Sequence, residues 1–174
     1  YDALHDKDAT ADLLQRFDAQ DRVNGLSFHT EPGAELPLGE PSLVLTAEQS
    51  NTSLAYGDAA LLKVFRRVVP GVNPDIEVHD ALTRGGSEHV APLLGWLDGR
   101  WVSLSGERQE AGLAMLQTFL VTATDGWALA TTSVRDLYAD ADLHAGEVGG
   151  DFAGESQRLG LATAEVHSAM AEVL

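Results

Sequence analysis

Apolar residues recur along this chain with two different periods, and each period predicts one kind of secondary structure. Helical spacing predicts a helix over residues 8–23, which the pair Asn24-Gly25 would end. Closer alternation predicts a strand over residues 26–30, and three prolines and two glycines predict a loop over residues 31–41. The opening of the chain is therefore predicted to be one helix, one strand and a loop.

Polar interruptions divide the next apolar stretch into three short strands. The first strand is predicted over residues 42–46, and a polar loop over residues 48–51 follows it. Residues 52–56 and 59–65 are predicted to be two further strands around the tight turn Gly57-Asp58. The pattern predicts an antiparallel hairpin whose second strand carries a single lysine.

The signals of a helix follow this hairpin. Asn73 is a favourable N-cap, Pro74 suits the first helical position, and Asp75 suits the first turn. Gly85-Gly86 would end the helix after about three turns. The side chains predicted to face a sheet are Ile76, Val78, Ala81 and Leu82.

A second hairpin is predicted around Asp98-Gly99, because this dipeptide favours a tight turn. Residues 89–97 and 101–104 would be its strands, and residues 107–112 would form a loop. The nearly continuous apolar run over residues 113–121 predicts a central strand.

Two helices are predicted in the last part of the chain. One would begin at Asp125-Gly126-Trp127 and continue through Leu137, and the other would begin at Gly149-Gly150 with Asp151 as its cap. The first has a predicted buried stripe of Trp127, Ala130 or Thr131, and Val134. The second has a predicted stripe of Phe152, Leu159, Ala162, Val166 and Met170.

Composition narrows the classes of protein that these elements can form. The 174 residues are 44% hydrophobic and 22% charged, which is typical of a globular chain with its own core. A net charge of −16 argues against a nucleic-acid partner, because phosphate backbones require a basic surface. Cysteine is absent, and no apolar run approaches the roughly 20 residues of a membrane helix. We therefore expect a cytoplasmic protein without a nucleic-acid or membrane partner.

Lys63 is the first candidate for a functional side chain. A lysine within an apolar strand is costly unless its ammonium group reaches an anion, and Glu77 in the following helix is the favoured partner. Glu40, Glu48 and Asp75 are weaker candidates. Alternatively, Lys63 extends along the strand to water and Glu77 is a solvated helix residue.

The polar loop before the hairpin is the second candidate. Its hydroxyl and amide side chains can donate hydrogen bonds to phosphate oxygens, although the loop lacks the glycines of a protein-kinase phosphate loop. An ordinary polar hairpin loop is the alternative. The candidate donors are Ser50, Asn51, Thr52 and Ser53. His29 has no second ligand at metal spacing nearby and is interpreted as an ordinary strand residue.

A family resemblance is carried by five segments, over residues 48–53, 62–67, 73–77, 130–138 and 147–155. They resemble actinobacterial maltokinases and the related glucosamine kinases, which have an aminoglycoside-phosphotransferase-like fold. The resemblance implies an α+β chain in three parts: the end of a cap subdomain over residues 1–37, a kinase-like N-lobe over 38–122, and the first helices of an α-helical C-lobe over 123–174. The N-lobe would be an antiparallel sheet with one helix along its side.

The resemblance also implies roles for the candidate residues. Lys63 would contact the α- and β-phosphates of ATP while Glu77 holds it in place. The phosphate loop would contribute Ser50, Asn51, Thr52 and Ser53. A hinge at the end of the central strand would offer backbone groups and an apolar wall to adenine through Gln117, Phe119 and Val121.

The implied activity is that of an ATP-dependent sugar kinase, a phosphotransferase with an alcohol acceptor. Maltose would be the acceptor, giving maltose 1-phosphate for glycogen-type α-glucan synthesis from trehalose, and glucosamine is the second acceptor. Mg²⁺ ligands and the catalytic base are expected in the C-lobe, since the family's His-Gly-Asp-x-His-type segment does not occur in this sequence.

No catalytic residue or metal ligand is therefore assigned here. The chain begins at Tyr1 and ends at Leu174 within a helical pattern, which suggests an inactive fragment of a longer protein. Two alternatives stay open. One is a stand-alone nucleotide-binding or regulatory module, and the other is an acidic interaction module without a nucleotide site.

Overall fold

The computed structural model describes residues 2–45, 50–122, 125–139 and 152–174. These residues form an α+β protein with two compact units, Tyr1–Leu120 and Val121–Leu174. The predicted fold class is confirmed, whereas the predicted boundaries after residues 37 and 122 stay predictions. Thr46, residues 48 and 49 of the predicted loop, Asp151 and much of the segment at 147–155 lie outside the described residues.

The first unit is built on one seven-stranded sheet with the order β1-β2-β6-β7-β5-β4-β3, in which every neighbouring pair is antiparallel. Its strands are β1 (Arg22–Val23), β2 (Leu26–Thr30), β3 (Ser42–Leu45), β4 (Asn51–Tyr56), β5 (Ala60–Phe65), β6 (Leu93–Val102) and β7 (Arg108–Thr118). Its helices are α1 (Lys7–Ala19) and α2 (Pro74–Arg84), and a short 3₁₀ turn, Ala3–His5, precedes α1.

The hairpin of β4 and β5 forms as the sequence predicts. Lys63 lies opposite Ser53 in β4 and opposite Met115 in β7, so β5 is paired along both of its edges. Only the strand ends differ from the prediction, since β4 starts at Asn51 and β5 starts at Ala60.

Helix α1 is shorter than the predicted helix over residues 8–23. It ends at Ala19 because Gln20 adopts a left-handed conformation with φ of 50°. Asn24 and Gly25 have φ values of 50° and 82° and form the turn between β1 and β2. The Asn-Gly pair is thus a hairpin turn rather than a helix end, since positive φ at both central residues matches the twist of paired strands.

One side of the sheet, the α1 face, is covered by helix α1. The rings of Phe17 in α1 and Phe28 in β2 meet edge to face at a centroid distance of 5.2 Å. The buried side chains that share this face include Leu14, Leu54, Tyr56, Leu62, Ala114 and Leu116. Among the described residues, this cluster has more buried members than the cluster on the opposite face.

The opposite side, the α2 face, is covered in part by helix α2. The Asn73 side chain caps this helix by accepting from the backbone N–H groups of Asp75 and Ile76, and Gly85 follows its last residue, as predicted. Ile76 and Leu82 are buried, and Val78 and Ala81 are half-buried. The buried residues of the cluster on this face are Phe65, Ile76, Leu93 and Met115.

The predicted hairpin at Asp98-Gly99 is wrong, because strand β6 runs through both residues. Gly99 is paired with Leu26 on one side and Ala111 on the other, so this position lies within the sheet. A Cβ atom on Gly99 would lie 2.6 Å from a methyl carbon of Leu113, which explains the glycine without a turn. A register shift beside Asp98 marks a β-bulge.

The turn between β6 and β7 lies later in the sequence. Ser103 donates its backbone N–H to the carbonyl of Glu107 at 2.8 Å, and Gly106 has a φ of 86°. Residues 108–112, predicted as a loop, are the first part of β7.

The second unit contains α3 (Gly126–Ala139) and α4 (Phe152–Val173). Asp125 accepts from the backbone N–H of Ala128 at 2.8 Å and caps α3, which begins where the sequence predicts. The predicted buried stripe of α3 is wrong, because Trp127 is 77% exposed and Val134 is 48% exposed. The stripe of α4 is confirmed at the half-buried Ala162, Val166 and Met170, but Leu159 is 66% exposed.

Candidate functional site

Lys63 lies in the middle of the α2 face, on a strand paired along both edges. Alternation along β5 points Leu62 to the α1 face, so Lys63 and Phe65 point to the α2 face. The residue is half-buried. The structure thus places a cation on the side of the sheet that also carries helix α2.

Glu77 lies in the first turn of α2, one residue after the buried Ile76, and it is exposed. Consecutive helix positions are about 100° apart, so Glu77 is turned away from the direction in which Ile76 points. Neither Lys63 nor Glu77 has an ion pair within 4.0 Å among the described residues. The Lys63–Glu77 pair is not formed in this structure, and its place in nucleotide binding stays a proposal.

The predicted phosphate donors are divided between the two faces of the sheet. Ser53 is buried on the α2 face opposite Lys63, and Asn51 shares that face. Thr52 points to the α1 face, where its hydroxyl accepts from Nε of Arg66 at 2.5 Å. Ser50 is exposed just before β4. The structure therefore brings Asn51 and Ser53 to the side of Lys63 and does not bring Thr52 there.

Arg66 is held at the end of β5 by two partners. Besides Thr52, the guanidinium group contacts the carboxylate of Asp2 at 2.7 Å. The hydrogen bond from Arg66 is the main reason that the pKa of Asp2 lies below its usual value. Arg66 therefore makes its contacts on the α1 side of the sheet. Lys63 is the basic residue of β5 that points to the α2 face.

The predicted hinge begins where β7 ends. The backbone N–H of Thr118 donates to the carbonyl of Pro92, and that of Phe119 donates to the carbonyl of Ala59, both at 2.9 Å. Phe119 is half-buried, whereas Val121 is 50% exposed and is the first residue of the second unit. Two of the hinge N–H groups are therefore already engaged by the sheet.

Gln117, the first predicted hinge residue, lies in β7 on the α2 face. It is opposite Leu61 in β5 and Leu93 in β6. Its side-chain oxygen Oε1 is buried and has no hydrogen-bond partner among the described residues. An unpaired buried acceptor costs roughly 1–3 kcal/mol of folding free energy. A donor that reached this oxygen would therefore form a favourable hydrogen bond.

A cluster on the α2 face was not predicted from the sequence. Nε2 of His29 and Nε1 of Trp96 each lie 3.1 Å from the same carboxylate oxygen of Asp98. The rings of His29 and Trp96 stack at a centroid distance of 4.6 Å with an interplanar angle of 9°. The prediction of a turn at Asp98-Gly99 excluded this cluster. A continuous strand, by contrast, places Trp96 and Asp98 on one face.

This cluster borders a cleft of about 330 Å³ between the start of α2 and the strands β6 and β7. Glu110 also lines it and pairs with Arg100 at 2.9 Å. The hydrogen bond from Arg100 lowers the pKa of the Glu110 carboxyl, with a smaller contribution from His29. Both carboxylates of the cleft thus already have a basic partner.

Metal binding has no candidate in the described part of the chain. No group of three or more His, Asp or Glu side chains there is arranged to hold a metal ion. The described residues therefore do not fit a Mg²⁺ site. Likewise, no helix in the described ranges has the length and apolar character needed to cross a membrane.

The sheet, helix α2 and the face that carries Lys63 together define a kinase-like α+β fold. The chain is similar to solved structures of glucosamine kinases. It matches a glucosamine kinase in complex with glucosamine, ADP and inorganic phosphate at 23% identity, with a TM-score of 0.65 over 96% of this chain. Two further crystal forms of glucosamine kinase match over 95% of this chain at 26% and 25% identity, with TM-scores of 0.64 and 0.66.

These structures support the kinase-like fold of the resemblance, but they give no support to a maltokinase or to an actinobacterial source. The chain spans 35–36% of the length of the glucosamine kinases that it matches. No family model matches the sequence.

Proposed function

We propose that this chain is the ATP-binding part of a sugar kinase that transfers the γ-phosphoryl group of ATP to a sugar hydroxyl. The observation that carries the proposal is the position of Lys63, half-buried on the α2 face in a sheet that matches those of glucosamine kinases. In kinases a lysine of the sheet contacts the nucleotide phosphates and pairs with a glutamate of the neighbouring helix. Lys63 would be that lysine, and Glu77, which is exposed in this structure, would be that glutamate.

Electrostatics make a local cation necessary for this function. The chain carries a net charge of −16, so its long-range field repels a nucleotide triphosphate. Lys63 would offset that repulsion at the phosphates. Glu77 would turn toward Lys63 when the nucleotide binds. The nucleotide would bind as its Mg²⁺ complex, with metal ligands and a catalytic base that we do not assign to this chain.

Glucosamine is the acceptor that the solved structures favour, because all three are glucosamine kinases and one contains glucosamine with ADP. Maltose is the second candidate, because the segments at residues 48–53, 62–67 and 73–77 resemble maltokinases. The absence of cysteine is in keeping with a cytoplasmic enzyme, which we include in the proposal.

Binding of MgATP to the chain, measured by isothermal titration calorimetry, tests the nucleotide site. Lys63→Ala should weaken binding roughly ten- to hundredfold, because a hydrogen bond to a charged group contributes about 1.5–3 kcal/mol. Arg135→Ala is the matched control, since it removes the same charge from an exposed position of α3. Equal affinities of the unmodified chain and Lys63→Ala would contradict the proposed role of Lys63.

The transfer reaction is tested with the protein expressed from the complete reading frame. Offering MgATP with glucosamine or maltose in separate reactions should yield a sugar phosphate from one of them. Turnover on glucosamine alone would assign the acceptor that the solved structures favour, and turnover on maltose alone would assign the other. If MgATP binds and neither sugar is phosphorylated, the chain is a nucleotide-binding module instead.

A further inference from the structure

The side-chain amide of Gln117 lies on the proposed nucleotide face, and its hydrogen bonding is incomplete among the described residues. Its oxygen is buried without a partner among the described residues, although the residue as a whole is only half-buried. Several other buried polar groups of the first unit are paired. For example, the hydroxyl groups of Thr10 and Ser42 lie 2.7 Å apart, and the hydroxyl of Tyr56 donates to the carbonyl of Thr10.

The neighbours of Gln117 cannot satisfy this acceptor. Leu61 and Leu93 lie opposite it on the two adjacent strands, and both side chains are apolar. The nearest backbone donors along β7 are also engaged, since the N–H groups of Thr118 and Phe119 bond to the carbonyls of Pro92 and Ala59. A donor for Oε1 must therefore come from outside this set of groups.

Gln117 shares the α2 face with Lys63. Met115 lies directly opposite Lys63, and Gln117 is two residues further along the same strand. Diagonal neighbours of this kind on one face of a sheet are roughly 7–8 Å apart. A nucleotide whose phosphates reach Lys63 and whose base lies toward the end of β7 would therefore bring its base to Gln117.

We propose that Gln117 selects the purine base by accepting a hydrogen bond from the 6-amino group of adenine through Oε1. This inference rests on the proposed nucleotide-binding function. The terminal torsion of a glutamine side chain is broad, so a small rotation of the amide can turn the oxygen toward the base. Guanine and hypoxanthine carry a carbonyl oxygen at position 6, which would face Oε1 as a second acceptor. The site therefore favours ATP over GTP and ITP.

Comparing MgATP with MgITP isolates this contact, since hypoxanthine differs from adenine by its 6-oxo group and the protonation of N1. We expect the unmodified chain to bind MgATP roughly ten- to hundredfold more tightly than MgITP, because unpaired buried acceptors strongly penalise the wrong base. Gln117→Met preserves the length of the side chain and removes the amide. In this variant the preference should fall to within about threefold, mainly through weaker binding of MgATP.

Gln109→Met is the matched control, because Gln109 lies in the same strand toward its other end. This variant should retain the full preference for MgATP. Gln117→Asn shortens the side chain by one methylene group and so moves the amide away from the base. It is the second variant, used if circular dichroism shows that Gln117→Met does not fold. It should show an intermediate preference.

Each other outcome overturns the inference in a distinguishable way. If Lys63→Ala loses MgATP while Gln117→Met keeps the preference of the unmodified chain, the base is read elsewhere and the proposed function stands. If the unmodified chain prefers MgITP and Gln117→Met removes that preference, the amide presents its NH₂ group and the assignment of Oε1 is wrong. If the unmodified chain binds neither nucleotide, the proposed function fails and the inference fails with it.

Discussion

At the scale of single residues, Tyr56 shows how the leading helix is tied to the strands of the hairpin. Its side chain is fully buried on the α1 face, and its hydroxyl donates to the carbonyl of Thr10 in α1 at 2.8 Å. Lys7 of the same helix donates to the carbonyl of Ser42 in β3. Burial raises the pKa of Tyr56 above its usual value. The phenol therefore stays protonated in the folded chain.

This shift makes stability depend on alkaline pH. Above about pH 10 tyrosine in the unfolded chain loses its proton while Tyr56 in the folded chain keeps it, so the unfolded state is favoured. The contribution is complete below that pH and is lost progressively above it. Urea unfolding between pH 8 and pH 11 should therefore show a falling free energy of unfolding. Tyr56→Phe should cost about 1 kcal/mol at pH 8 and show a smaller loss at high pH.

Tyr138→Phe is the control for this prediction, because Tyr138 is 82% exposed in α3. It should leave both the free energy of unfolding and its pH dependence unchanged. A Tyr56→Phe variant with the same alkaline loss as the unmodified chain would assign that loss to other groups.

At the scale of elements, local signals predicted some structures and missed others. The Asn73-Pro74 start of α2 and the hairpin of β4 and β5 follow from residues that are adjacent in sequence, and the structure confirms both. The structure of Asp98-Gly99 depends on partners far along the chain, since Gly99 is held between Leu26 and Ala111. A sequence window cannot contain those partners, so the propensity of Asp-Gly for a turn gave the wrong element.

A substitution at Gly112 of β7 would test how closely α2 packs on the sheet. A Cβ atom at this position would lie 2.6 Å from Cδ1 of Ile76 and 3.0 Å from Cβ of Asn73, at the start of α2. Ile76 is 8% exposed and has little room to move. We therefore expect Gly112→Ala to shift the start of α2 and to destabilise the chain by roughly 1–3 kcal/mol in urea unfolding.

Gly126→Ala is the comparison for this prediction, because nothing lies within 4 Å of a Cβ atom placed on Gly126. Its effect should stay within about 0.5 kcal/mol. An equally small effect of Gly112→Ala would mean that α2 can move away from β7 without cost.

At the scale of the whole molecule, the proposed site is less predictable than the fold. Residue types alone suggested Lys63 and the polar residues before it, but only the strand register separates Thr52 from Asn51 and Ser53. The unpaired oxygen of Gln117 has no signature in the sequence, because the partners of a side chain are set by the three strands around it. The face on which a strand residue lies follows from the alternation along the sequence. Whether its side chain has a hydrogen-bond partner can be determined only from the three-dimensional structure.

The two units should also differ in local stability, which is the last prediction. Strands β5 and β7 are paired on both sides and contribute Leu62, Ala114 and Leu116 to the cluster on the α1 face. No side chain of α3 is buried, and neither is any described side chain of α4. Amides exchange through local opening where few apolar contacts hold an element, and through global unfolding in the core. Hydrogen exchange followed by mass spectrometry should therefore find β5 and β7 most protected and both helices exchanging much faster. Protection of α3 equal to that of β7 would show that interactions other than the burial of its side chains stabilise α3.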